Sequence, residues 1–582
     1  METFWAVVTI INDITWHQYV LYVLLAVGVL FTVWSGFGQY RALTHGVQVI
    51  RGIYDDKNDP GAINHFQALS TALSATVGLG NIAGVAIAIS LGGPGAVFWM
   101  WVVGVIGMCL KMTEVTQAML FRDTSDPNNP HGGAMWVCKK GLTQIHPSLG
   151  PVGLVIGGIF CVTLIISCIT GGNMFQAWNV ADITQKYFGV PKFVTGLVLT
   201  VTVGLVILGG IKRIGDVAGR IVPFMCLIYV LAGLYVIVVN IGEVPAIFAL
   251  IVKDAFAPSQ ASGAFIGGTV GYGFLKGMQR ALFSNEAGQG SAPIAHSAAK
   301  TDEPVREGIV AGLEPFIDTI CVCTITALVI LLSGAWDRGP GLAFADGTPA
   351  VTQVTLEDGS PAWQIEACDL TIHDEAESKN QTFEGAPIFI VVEGTANATT
   401  GQDRHRVFGT LHAEASGRLH AEFEPFAADT RPSIAIEGAY LDYNGATLTA
   451  KAFDRALPGL GFWMIPAVAW LFAFSTIISW SYYGEQGVLF LFGTRSDMPY
   501  RIVYCLLILV TAQLVRTQDE LDVLSALGTG VMLWANIPIM LIFGPIAMKA
   551  YRDYFRRLGS GEMDPPHRAP RITDVVEGHD VE

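Results

Sequence analysis

Stretches of about 20 predominantly apolar residues recur along this chain, near 19–38, 66–91, 95–121, 151–183, 194–211, 221–241, 262–299, 308–333, 459–484, 499–515 and 523–548. Each matches the length a helix needs to cross a bilayer. In hydrocarbon every backbone N–H and C=O must be satisfied inside the protein, and runs of this length satisfy them as helices rather than as the short alternating strands of a barrel. Composition agrees. Hydrophobic residues make up 52% and charged residues 14%, against roughly 25% charged in a typical soluble domain. The expected fold class is an all-α polytopic membrane protein with eleven spans.

Lysine and arginine in short loops set the orientation. Alternate loops carry Arg41, Arg51 and Lys57; Arg122, Lys139 and Lys140; Lys212, Arg213 and Arg220; Lys300 and Arg306; and Arg495, with Lys549, Arg552, Arg556 and Arg557 in the tail. These loops are expected in the cytoplasm, and residues 1–18, which hold no lysine or arginine, outside. No basic segment precedes the first apolar run, so a cleavable signal peptide is not expected. The implied location is the plasma (inner) membrane, multi-pass.

Two of the spans read badly as uninterrupted helices. Residues 74–88, SATVGLGNIAGVAIA, set Gly78, Gly80 and Gly84 around the polar Asn81, and residues 283–293, FSNEAGQGSAP, set Gly288, Gly290 and Pro293 beside Asn285 and Glu286. Each glycine in a helix interior costs about 0.5–1 kcal/mol relative to alanine. With the N-terminal span set aside, the breaks fall in the first and sixth of ten spans. Five is an odd number, so the second set starts from the opposite face. That is an inverted repeat, in which paired interrupted segments mark a substrate site near the bilayer midplane. Where helical bonding stops, N–H groups face an anion and freed carbonyls face a cation; an amino-acid zwitterion with a sodium ion needs both. Glycine is also a common packing residue in membrane helices. Glu286 is open to two readings, a cation ligand or a partner of Arg280 or Lys276; Glu314 and Asp318 are equally open.

Residues 341–450 break the rule of short loops. Alternating runs such as VTQVTLE, APIFIVVEGT and RLHAEFEPF, separated by Gly, Pro, Asn and Asp, predict a small β domain on the extracytoplasmic side. It holds 17 acidic residues against 5 basic, so most of the chain's net charge of −15 is local to it. The expected organisation is therefore a transporter core, first part, over 1–340 (N-terminal helix plus core helices 1–7), a self-contained β insert over 341–450, core helices 8–10 over 451–548, and a cytoplasmic tail over 549–582. Of nine cysteines only Cys368 falls outside the spans and cytoplasmic loops, so no disulfide is expected within one chain. Asn380-Gln381-Thr382 and Asn397-Ala398-Thr399 match the glycosylation pattern, a short motif that also arises by chance.

The segments TALSATVGLGNIAGVAIAISLGGPGAVFWMWVVGVIGM (71–108), GGAMW (132–136), GGNMFQAWNVA (171–181), ALFSNEAGQGSAPIAHSAAKTDEPVREG (281–308), FIDTICVCTITALVILLSG (316–334) and FAFSTIISWSYYGEQ (472–486) resemble the alanine or glycine:cation symporter family (sodium:alanine symporters), in order and over nearly the whole chain outside 341–450. The resemblance implies a leucine-transporter-like 5+5 inverted repeat plus one N-terminal helix. It implies uptake of small neutral amino acids, alanine or glycine, with Na⁺ or H⁺ as coupling ion. By matching motifs it implies that Asn81 with the backbone of Gly78 and Gly80 forms the first-break part of the substrate site, that Gln176 faces it from the third core helix, that Phe283 and Ser284 come from the second break, and that Trp480 walls the pocket. For sodium it implies the carbonyls of Ser74 and Val77 with the hydroxyls of Ser475 and Thr476, although a serine or threonine in a helix also bonds back to its own turn. Two features depart from the family pattern: Leu79 stands where threonine is common, and the β insert replaces a short loop.

Other classes fit less well. Twelve histidines are scattered with no HExxH, GxSxG or CxxC pattern, so an enzyme is not expected. A sensor using the β insert would be expected to carry a cytoplasmic output domain, and after residue 548 only 34 residues follow. Nucleic acid is not an expected partner; the small amino acid, Na⁺ and the lipid bilayer are.

Overall fold

The computed structural model describes residues 2–56, 58–257, 261–356, 359–373, 383–396, 401–414, 418–443, 445–514 and 518–563. Both glycosylation motifs and most of the tail lie outside these residues.

Helices α1 (Glu2–Thr15) and α2 (Gln18–Trp34) open the chain, followed by α3 (His65–Thr76), a π-helical turn at Gly80–Gly84, α4 (Val85–Gly92), α5 (Gly95–Phe121), α6 (Gly150–Ile169) and α7 (Phe175–Phe188). Next come α8 (Lys192–Ile207), α9 (Gly210–Val239), α10 (Val244–Ala255), α11 (Val270–Asn285), α12 (Ala292–His296), α13 (Pro304–Ala311) and α14 (Thr324–Leu332). After the strands follow α15 (Ala446–Ala456), α16 (Leu460–Phe492), α17 (Asp497–Leu514) and α18 (Gln518–Ser560).

Among the described residues seven helical stretches are long and apolar enough to cross a bilayer: Val7–Trp34, Gly95–Phe121, Pro147–Phe188, Gly210–Val239, Pro304–Leu332, Leu460–Phe492 and Ala526–Ser560. An eighth is the pair His65–Thr76 and Gly80–Gly92, bent by 51°. The chain is a multi-pass membrane protein. On α9, Phe224, Leu227, Leu231 and Val238 are all more than half exposed, a continuous apolar face that only lipid covers. The remaining expected spans are helical as well. α8 has 16 residues, about 24 Å of rise; α11 also has 16 and carries Lys276 and Arg280 before the chain breaks; α17 has 18. Within residues 1–18, Glu2–Thr15 form α1. It lies along α18, with Asn12 Nδ2 donating to the Val523 carbonyl at 2.7 Å and Trp16 Nε1 to the Ala526 carbonyl at 2.8 Å.

The two broken segments, α3–α4 and α11–α12, lie against each other at both ends. Residues before α3 pair with residues after α12, Ala62 N–H donating to the Ala298 carbonyl at 2.8 Å and Lys300 N–H to the Ile63 carbonyl at 2.8 Å. At the far end a methyl group on Gly273 would lie 2.9 Å from the Gly92 carbonyl, so α4 and α11 approach as closely as two backbones can.

The β region comprises β1 (Leu342–Phe344), β2 (Val351–Thr355), β3 (Pro361–Ile365), β4 (Cys368–Ile372), β5 (Ala386–Glu393), β6 (Arg404–Ala413), β7 (Leu419–Phe423), β8 (Ser433–Ile434) and β9 (Tyr440–Leu441). Seven form one antiparallel sheet in the order β1-β4-β7-β6-β5-β8, with β9 also on β5, and β2 and β3 form a separate hairpin. The sheet is docked on the helices. Phe389, Val391 and Tyr440 pack with Ala264 from the segment that leads into α11, and Arg406 on β6 donates to the Ala264 carbonyl at 2.7 Å.

Candidate functional site

The helix α3 ends at Val77, whose φ of −75° and ψ of 90° leave the α-helical region. Asn81 holds the opening: its Oδ1 accepts the Gly78 N–H at 2.8 Å, capping from within the chain the half-helix that follows. Its Nδ2 donates to Asp318 Oδ1 at 2.5 Å and to Ser284 Oγ at 3.0 Å.

The second break turns on three residues of positive φ, Glu286 at 55°, Gly288 at 82° and Gly290 at 80°. For glycine this costs little; for Glu286 it is strained backbone of the kind that collects at functional sites. Glu286 Oε2 accepts the Ser291 hydroxyl at 2.5 Å, and Lys111 contributes to the electrostatic field at its carboxyl. Glu314 pairs with Lys111, at 3.3 Å. Asp318 accepts from Asn81, Ser284 and Thr319, the last two at 2.8 Å on the same oxygen.

Between the breaks lies a narrow cavity lined by Gly78, Gly80, Gln176, Phe283, Glu286 and Trp480. The volume open to a water centre is about 20 Å³, space for little more than one water. The structure therefore brings five of the seven substrate-site residues expected from sequence to one wall. Asn81 and Ser284 stand behind that wall, in the Asp318 cluster, because their side chains are used to join the two breaks. Gln176 Nε2 donates to the Gly171 carbonyl at 3.3 Å while its buried Oε1 has no hydrogen-bond partner. A buried orphan acceptor costs about 1–3 kcal/mol, and a ligand donor in the cavity would supply its partner. Trp480 reaches the wall because Gly172 lacks a side chain: a methyl there would sit 2.4 Å from the indole Cγ.

Of the expected sodium ligands, the Thr476 hydroxyl and the Ser74 carbonyl meet through the expected atoms. Ser74 Oγ donates to the Ser475 carbonyl at 2.6 Å, and Thr476 Oγ1 donates to the Ser74 carbonyl at 3.1 Å. Val77 lies one turn on, where α3 opens. Ser475 Oγ bonds back to the Phe472 carbonyl at 2.9 Å, the back-bonding open to a serine in a helix. Ser74 and Val77 lie at the C-terminal end of the half-helix α3, where carbonyl oxygens suit a small hard cation, and Ser475 and Thr476 lie inside α16.

The sequence profile of the sodium:alanine symporter family matches residues 1–371 and 430–568. The chain belongs to that family. It is a sodium-coupled amino-acid symporter and not an enzyme. The unmatched internal residues, 372–429, fall inside the β region, across β5, β6 and β7. Relatives include the "Sodium/alanine symporter AgcS" of Methanococcus maripaludis, 34% identical over 95% of this chain and 97% of that one. The "Putative sodium/proton-dependent alanine carrier protein YrbD" of Bacillus subtilis is 31% identical over 95% and 93%, and the "Probable sodium/glutamine symporter GlnT" of the same organism 36% over 61% and 70%. Among solved structures, MhsT in complex with L-phenylalanine aligns at 12% identity and a TM-score of 0.46, over 89% of this chain and 99% of that one.

Around the symporter's cavity the structure adds residues that sequence reasoning passed over. Glu114 Oε2 accepts the Gly290 N–H at 3.1 Å and Asn536 Nδ2 at 2.9 Å, and Asn536 also donates to the Gly288 carbonyl at 2.9 Å. A signal was present: Lys111 and Glu114 are charges three apart inside an otherwise apolar span, where burial is expensive unless they are paired or used.

Proposed function

We propose that this symporter takes up small neutral amino acids, alanine or glycine, by alternating access at the cavity between the two breaks, driven by Na⁺ held at Ser74, Val77, Ser475 and Thr476. The supporting observation is the unpartnered Gln176 Oε1 on a wall shared by Gly78, Gly80, Phe283 and Trp480. One acceptor, exposed backbone and two aromatic rings at one point offer an ammonium group a hydrogen bond and a small side chain an apolar wall. Asn81 and Ser284 set the positions of the two breaks from behind. The names of the Methanococcus and Bacillus relatives, alanine in two cases and sodium in all three, support the same assignment. In this reading the core is a leucine-transporter-like 5+5 inverted repeat. The N-terminus and the β region 341–450 lie outside, and the tail from 549 lies in the cytoplasm.

The test is uptake of labelled alanine into proteoliposomes under an imposed Na⁺ gradient, with glycine, serine and glutamine as competitors. Na⁺-dependent accumulation inhibited by glycine is expected. Equal accumulation with choline replacing Na⁺ at constant pH would sink the sodium assignment.

A further inference from the structure

Among the described residues, one set of buried ionisable groups forms a line. The Asp55 side chain, 43% exposed, stands 3.7 Å from Nε2 of the buried His65. His65 Nδ1 meets Glu307 Oε2. Glu307 Oε1 meets His296 Nδ1 at 2.5 Å, His296 Nε2 meets Glu314 Oε1 at 2.6 Å, and Glu314 Oε2 accepts Lys111 Nζ at 3.3 Å. Lys111 lies in the combined field of Glu314, Glu114 and Glu286, and Glu286 borders the cavity.

Two details distinguish this line from a set of ion pairs that only holds helices together. Imidazole and carboxyl alternate, and Glu307, His296 and Glu314 each use their two polar atoms on two different neighbours; an imidazole accepts a proton on one nitrogen and releases one from the other. Buried acceptor positions are also left open, Glu114 Oε1 and His65 Nε2 making no hydrogen bond. The other charged or titratable groups facing the line are Arg122 toward Glu307, Tyr483 toward Glu286, Glu314 and Glu114, Cys168 and Asp318 toward Glu286, and Arg306, which is buried on α13 beside Glu307.

We propose that Asp55, His65, Glu307, His296, Glu314 and Lys111 form a route along which protons pass between water at the Asp55 surface and Glu286 at the cavity. A proton taken up by Asp55 passes to Nε2 of His65, while the proton on Nδ1 leaves for Glu307. Glu307 receives the proton on Oε2, its carboxyl group turns to present that O–H to Nδ1 of His296, and the Nε2 proton of His296 leaves for Oε1 of Glu314. Glu314 turns in the same way and replaces the proton that the Lys111 ammonium gives to Glu286. One proton enters and one arrives, and only O–H and N–H bonds are made or broken. Each imidazole ends with its hydrogen on the other nitrogen and resets before the next transfer.

The test follows the carboxyl groups of the full-length protein in lipid by time-resolved infrared difference spectroscopy after an alkaline-to-acid step. The carbonyl stretch that disappears in Glu286→Gln identifies Glu286. His296→Gln is expected to slow the appearance of that band by about tenfold or more, and Asp55→Asn to slow it as well. His412→Gln, on the half-exposed edge of the β region, leaves it unchanged. If His296→Gln does not fold, Asp55→Asn at the surface carries the measurement. Wild-type rates in the folded variants overturn the route. No amino acid is present in this experiment, so failure of the symport assignment and failure of the route are read separately.

Discussion

Thr476 on α16 donates its hydroxyl to the carbonyl of Ser74 on α3 at 3.1 Å, across 402 positions of the chain. The bond ties the unbroken helix α16 to the half-helix α3, which ends three residues further on. A cation at this point would take the carbonyl and the hydroxyl oxygen together, so binding would pull the same two elements into contact.

Thr476→Val keeps the shape and removes that oxygen. Loss of a buried polar partner costs about 1–3 kcal/mol, and each 1.4 kcal/mol is about tenfold in affinity. The Na⁺ concentration that half-saturates alanine uptake should rise about tenfold or more. Ser475→Ala should have a smaller effect, because its hydroxyl is turned back to the Phe472 carbonyl. An unchanged Na⁺ dependence in Thr476→Val would place the cation elsewhere.

Asn81 and Gln176 should separate in a thermal-shift and binding experiment. Asn81→Ala strips a partner from the Gly78 N–H, from Ser284 and from Asp318, each loss worth about 1–3 kcal/mol, so the melting temperature should fall along with binding. Gln176→Ala removes a side chain whose carbonyl oxygen already lacks a partner, so affinity should fall about tenfold with little change in stability. Equal stability losses in the two variants would contradict this division.

Much of this site was legible because the membrane makes certain residues conspicuous. Glycines around an asparagine in an apolar span mark a break whatever the tertiary structure, and both breaks lie where the glycines put them. Which face Asn81 turns to is not written in spacing, and its side chain went to Asp318 instead of the cavity. The line from His65 to Lys111 was illegible for a different reason. His65 and Glu307 are 242 positions apart, and nothing in the spacing around His65 or within the 281–308 motif that holds Glu307 pairs the two; only the packing of α3 against α12 and α13 makes them neighbours. The β strands were legible by alternation, but the order β1-β4-β7-β6-β5-β8 depends on non-sequential pairing that alternation does not encode.

Two adjacent glycines give an internal control for the packing of Trp480. A methyl on Gly171 meets nothing within 4 Å, whereas one on Gly172 would lie 2.4 Å from Trp480 Cγ. Gly171→Ala should be neutral or stabilising by up to about 1 kcal/mol, as for a helical glycine replaced by alanine. Gly172→Ala should destabilise by about 1–3 kcal/mol, the usual range for overpacking, and abolish uptake. Equal melting temperatures for the two would show that α16 is free to move away from the turn before α7.

Arg406 is the point at which the β region can act on transport. Its guanidinium donates to the Ala264 carbonyl at 2.7 Å and reaches the Ser90 carbonyl at 3.5 Å, so one side chain of β6 touches the ends of α4 and of the segment leading into α11. Burial pushes its pKa down to about 10, which leaves it charged at neutral pH. The chain then leaves the sheet through Gly445 into α15, where Thr449 Oγ1 donates to the Ile82 carbonyl at 3.0 Å, inside the first break. Alternating access needs α4 and α11 to move at this end, and the sheet is tied to both. Arg406→Ala should change the rate of Na⁺-driven alanine uptake severalfold and leave the Na⁺ concentration at half-saturation unchanged, since the Ser74–Thr476 contact lies at the other end of the break. Replacing 341–445 with a short Gly/Ser linker removes the ties altogether and leaves α15 in place. Uptake within severalfold of wild type makes the β region a modulator; a folded, inserted protein that transports nothing makes it part of the gate. An Arg406→Ala variant identical to wild type in rate would mean that the sheet rides on the helices without acting on them.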